Sequence, residues 1–93
     1  MRERRSENFV KEQIEDYLDI IGWFHFPILQ GLGAYKGICD RIAIKDGKVL
    51  FIEVKGPKGR LSNHKKEFRK NIEAAGGIYI SSRSYEDIAR FVI

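Results

Sequence analysis

Apolar and polar positions alternate along this chain in blocks whose period changes several times. Val10, Ile14, Tyr17, Leu18 and Ile21 recur at the spacing of one helical face. Ser6 precedes the block as an N-cap and Gly22 follows it as a stop, so a helix is predicted from about Ser6 to Ile21. Trp23 to Ile28 reads as a first strand, closed at or just after Pro27. Gln30 to Gly37 carries three glycines and reads as a loop. Ile38 to Ile44 reads as a second strand. Lys45-Asp46-Gly47-Lys48 reads as a hairpin turn, and Val49 to Lys55 as a third strand. The continuous run Val49-Leu50-Phe51-Ile52 suits a strand covered on both faces.

Gly56-Pro57-Lys58-Gly59-Arg60 reads as a stiff basic loop. A second helix is expected from Ser62 to the Gly76-Gly77 pair, with Leu61, Phe68, Ile72 and Ala75 inward. Ile78-Tyr79-Ile80 is a fourth strand. Ser84 caps a last short helix, with Asp87 in capping-box position. The order is αβββαβα, an α/β fold with a mixed central sheet flanked by helices, in a single domain spanning residues 1–93.

The candidate chemistry sits at the strand ends. Gly37-Ile38-Cys39-Asp40 is followed, thirteen residues after Asp40, by Glu53-Val54-Lys55. In a strand Glu53 and Lys55 project from one face and Val54 from the other. Charges directly after an apolar run are costly to bury unless paired or bound to metal. Two carboxylates from adjacent strands offer the hard oxygen donors that Mg²⁺ or Mn²⁺ takes, and a lysine beside them can orient water or stabilise developing charge. A salt bridge at a hairpin is the plain alternative for these residues.

Composition narrows the setting. There are 17 Lys and Arg against 13 Asp and Glu, a net charge of +4, compatible with a polyanionic partner. The single cysteine, Cys39, excludes an intrachain disulfide framework and fits a reducing cytoplasm. No apolar run is long enough for a membrane span, and the basic start from Met1 to Arg5 leads into no apolar signal core.

Lys36, Lys58, Arg60, His64, Lys65, Lys66, Arg69 and Lys70 concentrate positive charge around and after the Glu53-Val54-Lys55 strand. Such residues neutralise phosphates without reading sequence, or else form a solvated helix face. DNA contact is expected first for Lys58 and Arg60, then for Lys36, His64, Lys65, Arg69 and Lys70. His25 reads as structural and Cys39 as core. Trp23, Phe24 and Phe26 read as core or dimer contacts before base-stacking surfaces.

The order of elements, an acid opening the first helix, Gly37-x-x-Asp40, Ile52-Glu53-Val54-Lys55 and Gly59-Arg60-Leu61-Ser62 together resemble the virus-type replication-repair nuclease (VRR-NUC) domain. That family belongs to the restriction-endonuclease-like PD-(D/E)xK superfamily, and the resemblance runs from Ser6 to the C-terminus. It implies an αβββαβ core and Mg²⁺- or Mn²⁺-dependent cleavage of DNA. Asp40 and Glu53 would be metal ligands with the Val54 carbonyl, and Lys55 the catalytic lysine.

Small stand-alone members of the family look like homodimeric, phage-associated enzymes acting on branched DNA such as Holliday junctions. The resemblance thus implies a homodimer, a role in DNA repair, the host cytoplasm, and no small-molecule cofactor. Glu7 is expected as the helical acid. On a helical wheel it falls about 35° from the apolar direction, and Glu12 about 175° away. Glu7 would equally favour the positive end of the helix. The sequence departs from the family at Lys65, where a glutamine is usual. Spacing to Phe68 and Ile72 puts Lys65 on the inward stripe, snorkelling at the core edge or reaching the scissile phosphate as a second cation. A non-catalytic DNA-binding or assembly module on the same fold is the alternative from another class.

Overall fold

The computed structural model describes residues 6–92; the basic start from Met1 to Arg5 lies outside them. Helix α1 spans Glu7–Ile20, and strand β1 spans Phe24–Pro27. Strands β2, Arg41–Lys45, and β3, Lys48–Val54, follow. Helix α2 runs Asn63–Ala74, strand β4 Ile78–Ser82 and helix α3 Tyr85–Val92. The sheet order is β1-β2-β3-β4. β1 and β3 each pair antiparallel with β2, while β3 and β4 are parallel. A parallel pair needs a crossover, which α2 supplies. The expected α/β architecture with a mixed sheet is present.

Local chemistry explains most boundaries. Ser6 accepts a hydrogen bond from the Phe9 N–H and Ser62 from that of Lys65, capping α1 and α2. At the β2–β3 turn, Asp46 (φ 52°) and Gly47 (φ 79°) both adopt left-handed backbone, the requirement of a type I′ hairpin, and Lys45 faces Lys48. At α3 the expected reciprocal cap is shifted: the Asp87 carboxylate accepts from the Arg83 N–H, one residue before Ser84.

β2 begins at Arg41, three residues later than expected. Ile38 to Asp40 lie outside the regular strand. Asp40 nevertheless donates its N–H to the Ile52 carbonyl and accepts from the Ile28 N–H. It therefore stays locked between its neighbours while its side chain is free of strand alternation.

β3 separates two apolar clusters. Leu50, Ile52 and Val54 pack with Val10, Ile14 and Leu18 of α1, Ile88 of α3, Ala43 and Ile80. Phe51, on the other face, packs with Cys39, Ile42, Phe68, Ile72 and Tyr79. Thus α1 and α3 cover one face and α2 the other. Ala75, expected inward, is exposed as the C-cap of α2. Trp23 is buried, whereas Phe24 is exposed and stacks at 5.6 Å on Phe26. Among the described residues, no helix is long and apolar enough to cross a membrane.

Gly37 (φ 84°) is seated so closely on the His64 backbone that an added Cβ would overlap the His64 carbonyl. Gly47 has open space around it. Gly47→Ala meets only left-handed strain and should cost about 1 kcal/mol. Gly37→Ala meets both strain and overlap and should cost clearly more. Urea unfolding of the two variants checks this; equal losses would contradict the close approach.

Candidate metal and nucleic-acid site

Strand alternation sends Glu53 and Lys55 to the α2 side of the sheet, with Phe51. Glu53 is 2 % exposed. Burying a carboxylate demands partners, and two ammonium groups supply them. Lys55 Nζ lies 3.2 Å from Oε2 and Lys65 Nζ 3.0 Å from Oε1. Lys65 also donates to the Ile38 carbonyl at 3.0 Å. Burial pushes the Glu53 pKa up, hydrogen bonding from Lys65 pulls it down, and the nearby Asp40 charge pushes it up again; the net direction is upward.

Asp40 is held from two sides. Its Oδ2 accepts the Val54 N–H at 2.8 Å, and Oδ1 accepts from the Gln30 amide at 3.4 Å. Gln30 also donates to the Ile38 carbonyl. Ile52 and Val54 are two residues apart, so their backbone polar groups face the same strand edge. The Ile52 carbonyl meets the Asp40 N–H there, and the Val54 N–H meets the Asp40 carboxylate. A cavity of about 150 Å³ opens beside Asp40 and Val54, bordered by Lys11, Glu15 and Arg41.

The donor set suits a hard cation in kind: two carboxylates and a carbonyl from neighbouring strands, with water to complete the shell. Among the described residues, no group of three or more His, Cys, Asp or Glu side chains could hold a metal ion. The Glu7 side chain, expected to hold metal directly or through water, is turned toward solvent. Its side chain is 46 % exposed and pairs with Lys11 at 3.4 Å. The reason is its position in the first turn, above Val10, where burial of the α1 stripe begins. Its backbone does approach Gly56, one residue after Lys55.

The cations divide into two groups. Lys36, Lys58, Arg60, His64, Lys66 and Lys70 are exposed and open to solvent. Arg69 is engaged internally: it donates to Glu73 at 3.2 Å and lies 5.4 Å over the Tyr79 ring. Lys65 is turned onto Glu53. His25 has the expected structural role, with Asp19 at 2.6 Å and Arg41 at 2.7 Å. Cys39 is fully buried, and burial pushes its thiol up to about 11, far from a nucleophile's range.

Sequence reasoning missed Gln30, Arg41 and Arg83. Arg41 donates to Glu15 at 2.9 Å, tying β2 to α1. Arg83 donates to the carbonyls of Gly56 and Gly59 at 2.6 Å each, and to that of Pro57. One guanidinium thereby closes the basic loop on itself. Within that loop Gly59 lies against the Lys55 methylenes, where an added Cβ would come within 3.0 Å. Arg83 is a positioning residue for Lys55 and for the loop bearing Lys58 and Arg60.

Neither a protein-family model nor a curated protein matches the chain.

Two outcomes follow from this geometry. The fold retains the Glu53 proton at pH values where the unfolded chain, near the ordinary 4.5, has lost it. Stability of the metal-free protein should therefore fall as pH rises through the raised Glu53 pKa, and Glu53→Gln should remove that slope. Thermal melts in EDTA between about pH 4 and pH 8 measure both proteins. Arg83→Ala should speed amide exchange across residues 56–60 by ~10-fold or more, with Arg83→Lys restoring it only in part. Unchanged exchange in Arg83→Ala would remove its positioning role.

Proposed function

We propose that this chain is a Mg²⁺- or Mn²⁺-dependent endonuclease that hydrolyses phosphodiester bonds in DNA. The observation that carries the reading is the meeting of Asp40 with the Glu53–Lys55 pair at one end of the sheet, a buried carboxylate under an ammonium. The resemblance to the VRR-NUC domain points the same way. In this reading Asp40, Glu53 and the Val54 carbonyl hold the cation, with Glu7 at most an outer contact through water.

A bound divalent cation supplies charge stabilisation on the phosphate and acidifies water. The chain's own residues do the rest. The Val54 N–H fixes one Asp40 oxygen, and the Gln30 amide reaches the other. Lys55, 14 % exposed, presents its ammonium beside the acid and can orient the attacking water or stabilise developing negative charge. Lys58 and Arg60, with Lys36 and His64 farther out, neutralise phosphates along the backbone.

The proposed substrate is branched DNA, and the proposed assembly a homodimer whose two sites cut two strands symmetrically. Exposed Ile20 and Phe24 beside the β1 edge offer an apolar margin that a second copy could cover. A DNA-repair role in the cytoplasm of a phage-infected cell belongs to the same proposal. A second reading, a non-catalytic DNA-binding or assembly module, draws on the internal satisfaction of Glu53 by two lysines.

Cleavage of end-labelled four-way junction, flap, duplex and single-stranded DNA with Mn²⁺, Mg²⁺ or EDTA tests the proposal. Paired, metal-dependent cuts on the junction are expected, and Lys55→Ala or Asp40→Asn should lower the rate about 100-fold or more. Binding of these DNAs with no cutting in either metal would make the binding module the better reading. A clean monomer by sizing and crosslinking would remove the paired-cut arrangement.

A further inference from the structure

Glu53 is the most buried acid among the described residues, and its two oxygens are shared out between two lysines. The two are not equivalent. Lys55 comes from the same strand, two residues on. Lys65 comes from α2, across the face of the sheet, and its ammonium is ligated by one carboxylate oxygen and one backbone carbonyl, each at 3.0 Å. Those are the donor types a hard cation takes.

The placement is built by the backbone. The Lys65 N–H is tied to the Ser62 cap in the first turn of α2. Gly37 packs directly on the adjacent His64 carbonyl, which brings the Ile38 carbonyl within reach of Lys65. The Lys65 side chain is only 16 % exposed. Formally, Asp40 and Glu53 balance Lys55 and Lys65, so the site is near neutrality before any cation arrives.

We propose that Lys65 is an internal competitor for the divalent cation at Glu53: its ammonium occupies Oε1, and a metal ion gains that oxygen only by displacing it. This rests on the nuclease reading and adds to it a determinant of metal affinity. The protein would need more Mg²⁺ or Mn²⁺ to fill its site than the same fold carrying a neutral side chain at position 65.

The test is Mn²⁺ binding to the full chain without DNA, followed by the electron paramagnetic resonance of free Mn²⁺. Lys65→Gln and Lys65→Met should bind Mn²⁺ about 10-fold more tightly than wild type. Lys65→Arg, which keeps the charge, should resemble wild type. Circular dichroism melts establish that each variant is folded. Folded Gln and Met variants that bind no more tightly than wild type would overturn the proposal.

A wild-type measurement needs no substitution: the ¹⁵N resonance of the Lys65 ammonium should shift as Mg²⁺ fills the site. No shift at saturating Mg²⁺ would also overturn it. If wild type and every variant take up no Mn²⁺, the nuclease reading fails and this competition with it. If wild type binds Mn²⁺ and Lys65→Gln leaves the affinity unchanged, only the role of Lys65 falls.

Discussion

A carboxylate with 2 % exposure has to be answered by the protein around it. Glu53 is answered from three directions. Lys55 reaches it along β3, Lys65 reaches it from α2, and the Ile38 carbonyl supports Lys65 from the segment before β2. Removing one partner from a buried charge pair costs about 3–5 kcal/mol in known cases. The seating of α2, the path of residues 37–40 and the orientation of both lysines are therefore coupled through one side chain. The near contact of Gly37 with His64 belongs to the same arrangement, because it fixes how close that segment lies to α2.

β3 makes this possible by serving two environments at once. Leu50, Ile52 and Val54 anchor the larger apolar cluster under α1 and α3. The alternate positions begin apolar at Phe51 and turn charged at Glu53 and Lys55, where the strand ends. The apolar side gives the strand its rigidity, and the charged side inherits it. Asp40 is then fixed against β3 by both its backbone and its carboxylate. A site on paired strands holds its groups more closely than one on loops. The loop that follows, residues 56–60, is tied through its carbonyls to Arg83, so the backbone bearing Lys58 and Arg60 is held as well.

The readable parts of the sequence were those set by local rules. The α1 stripe, the two serine caps, the Asp46-Gly47 turn and the two-faced character of β3 depend on neighbours in sequence, and they appear as expected. The inward direction of Lys65 was legible from its spacing to Phe68 and Ile72; its partner Glu53 was not, because that contact spans the crossover. Glu7 shows the limit of a helical wheel. The wheel gives a direction around the axis but not where along the axis the core begins, and here it begins at Val10. Gln30 and Arg83 carry no local signature. Each acts on backbone or acid groups distant in sequence, from a glycine-rich loop and from the bend between β4 and α3. Arg69 shows what a basic run does not announce: Glu73 one turn on and the Tyr79 ring are partners for its guanidinium.

The internally paired Glu53 bears on both functional readings. As a purely structural device, a buried carboxylate with two ammonium groups is a poor investment: apolar residues of similar volume generally serve stability as well or better. The apolar surroundings at Phe51, Phe68 and Tyr79 show that such packing is available on this same face. A DNA-binding module gains little from acids, because they repel phosphate. Acids become useful at a phosphate only when something positive stands between the two. Lysines alone meet that need weakly, since each carries a single charge that its salt link to an acid already cancels. A divalent cation meets it fully, and Asp40, Glu53 and the Val54 carbonyl are the oxygen donors such an ion takes. On the proposed function the lysines would have a double logic: they satisfy the buried acid in the ion's absence and would stand beside the phosphate in its presence. The combination of acids with basic neighbours is the chemistry that favours the proposed cleavage of a phosphodiester over the binding-module reading.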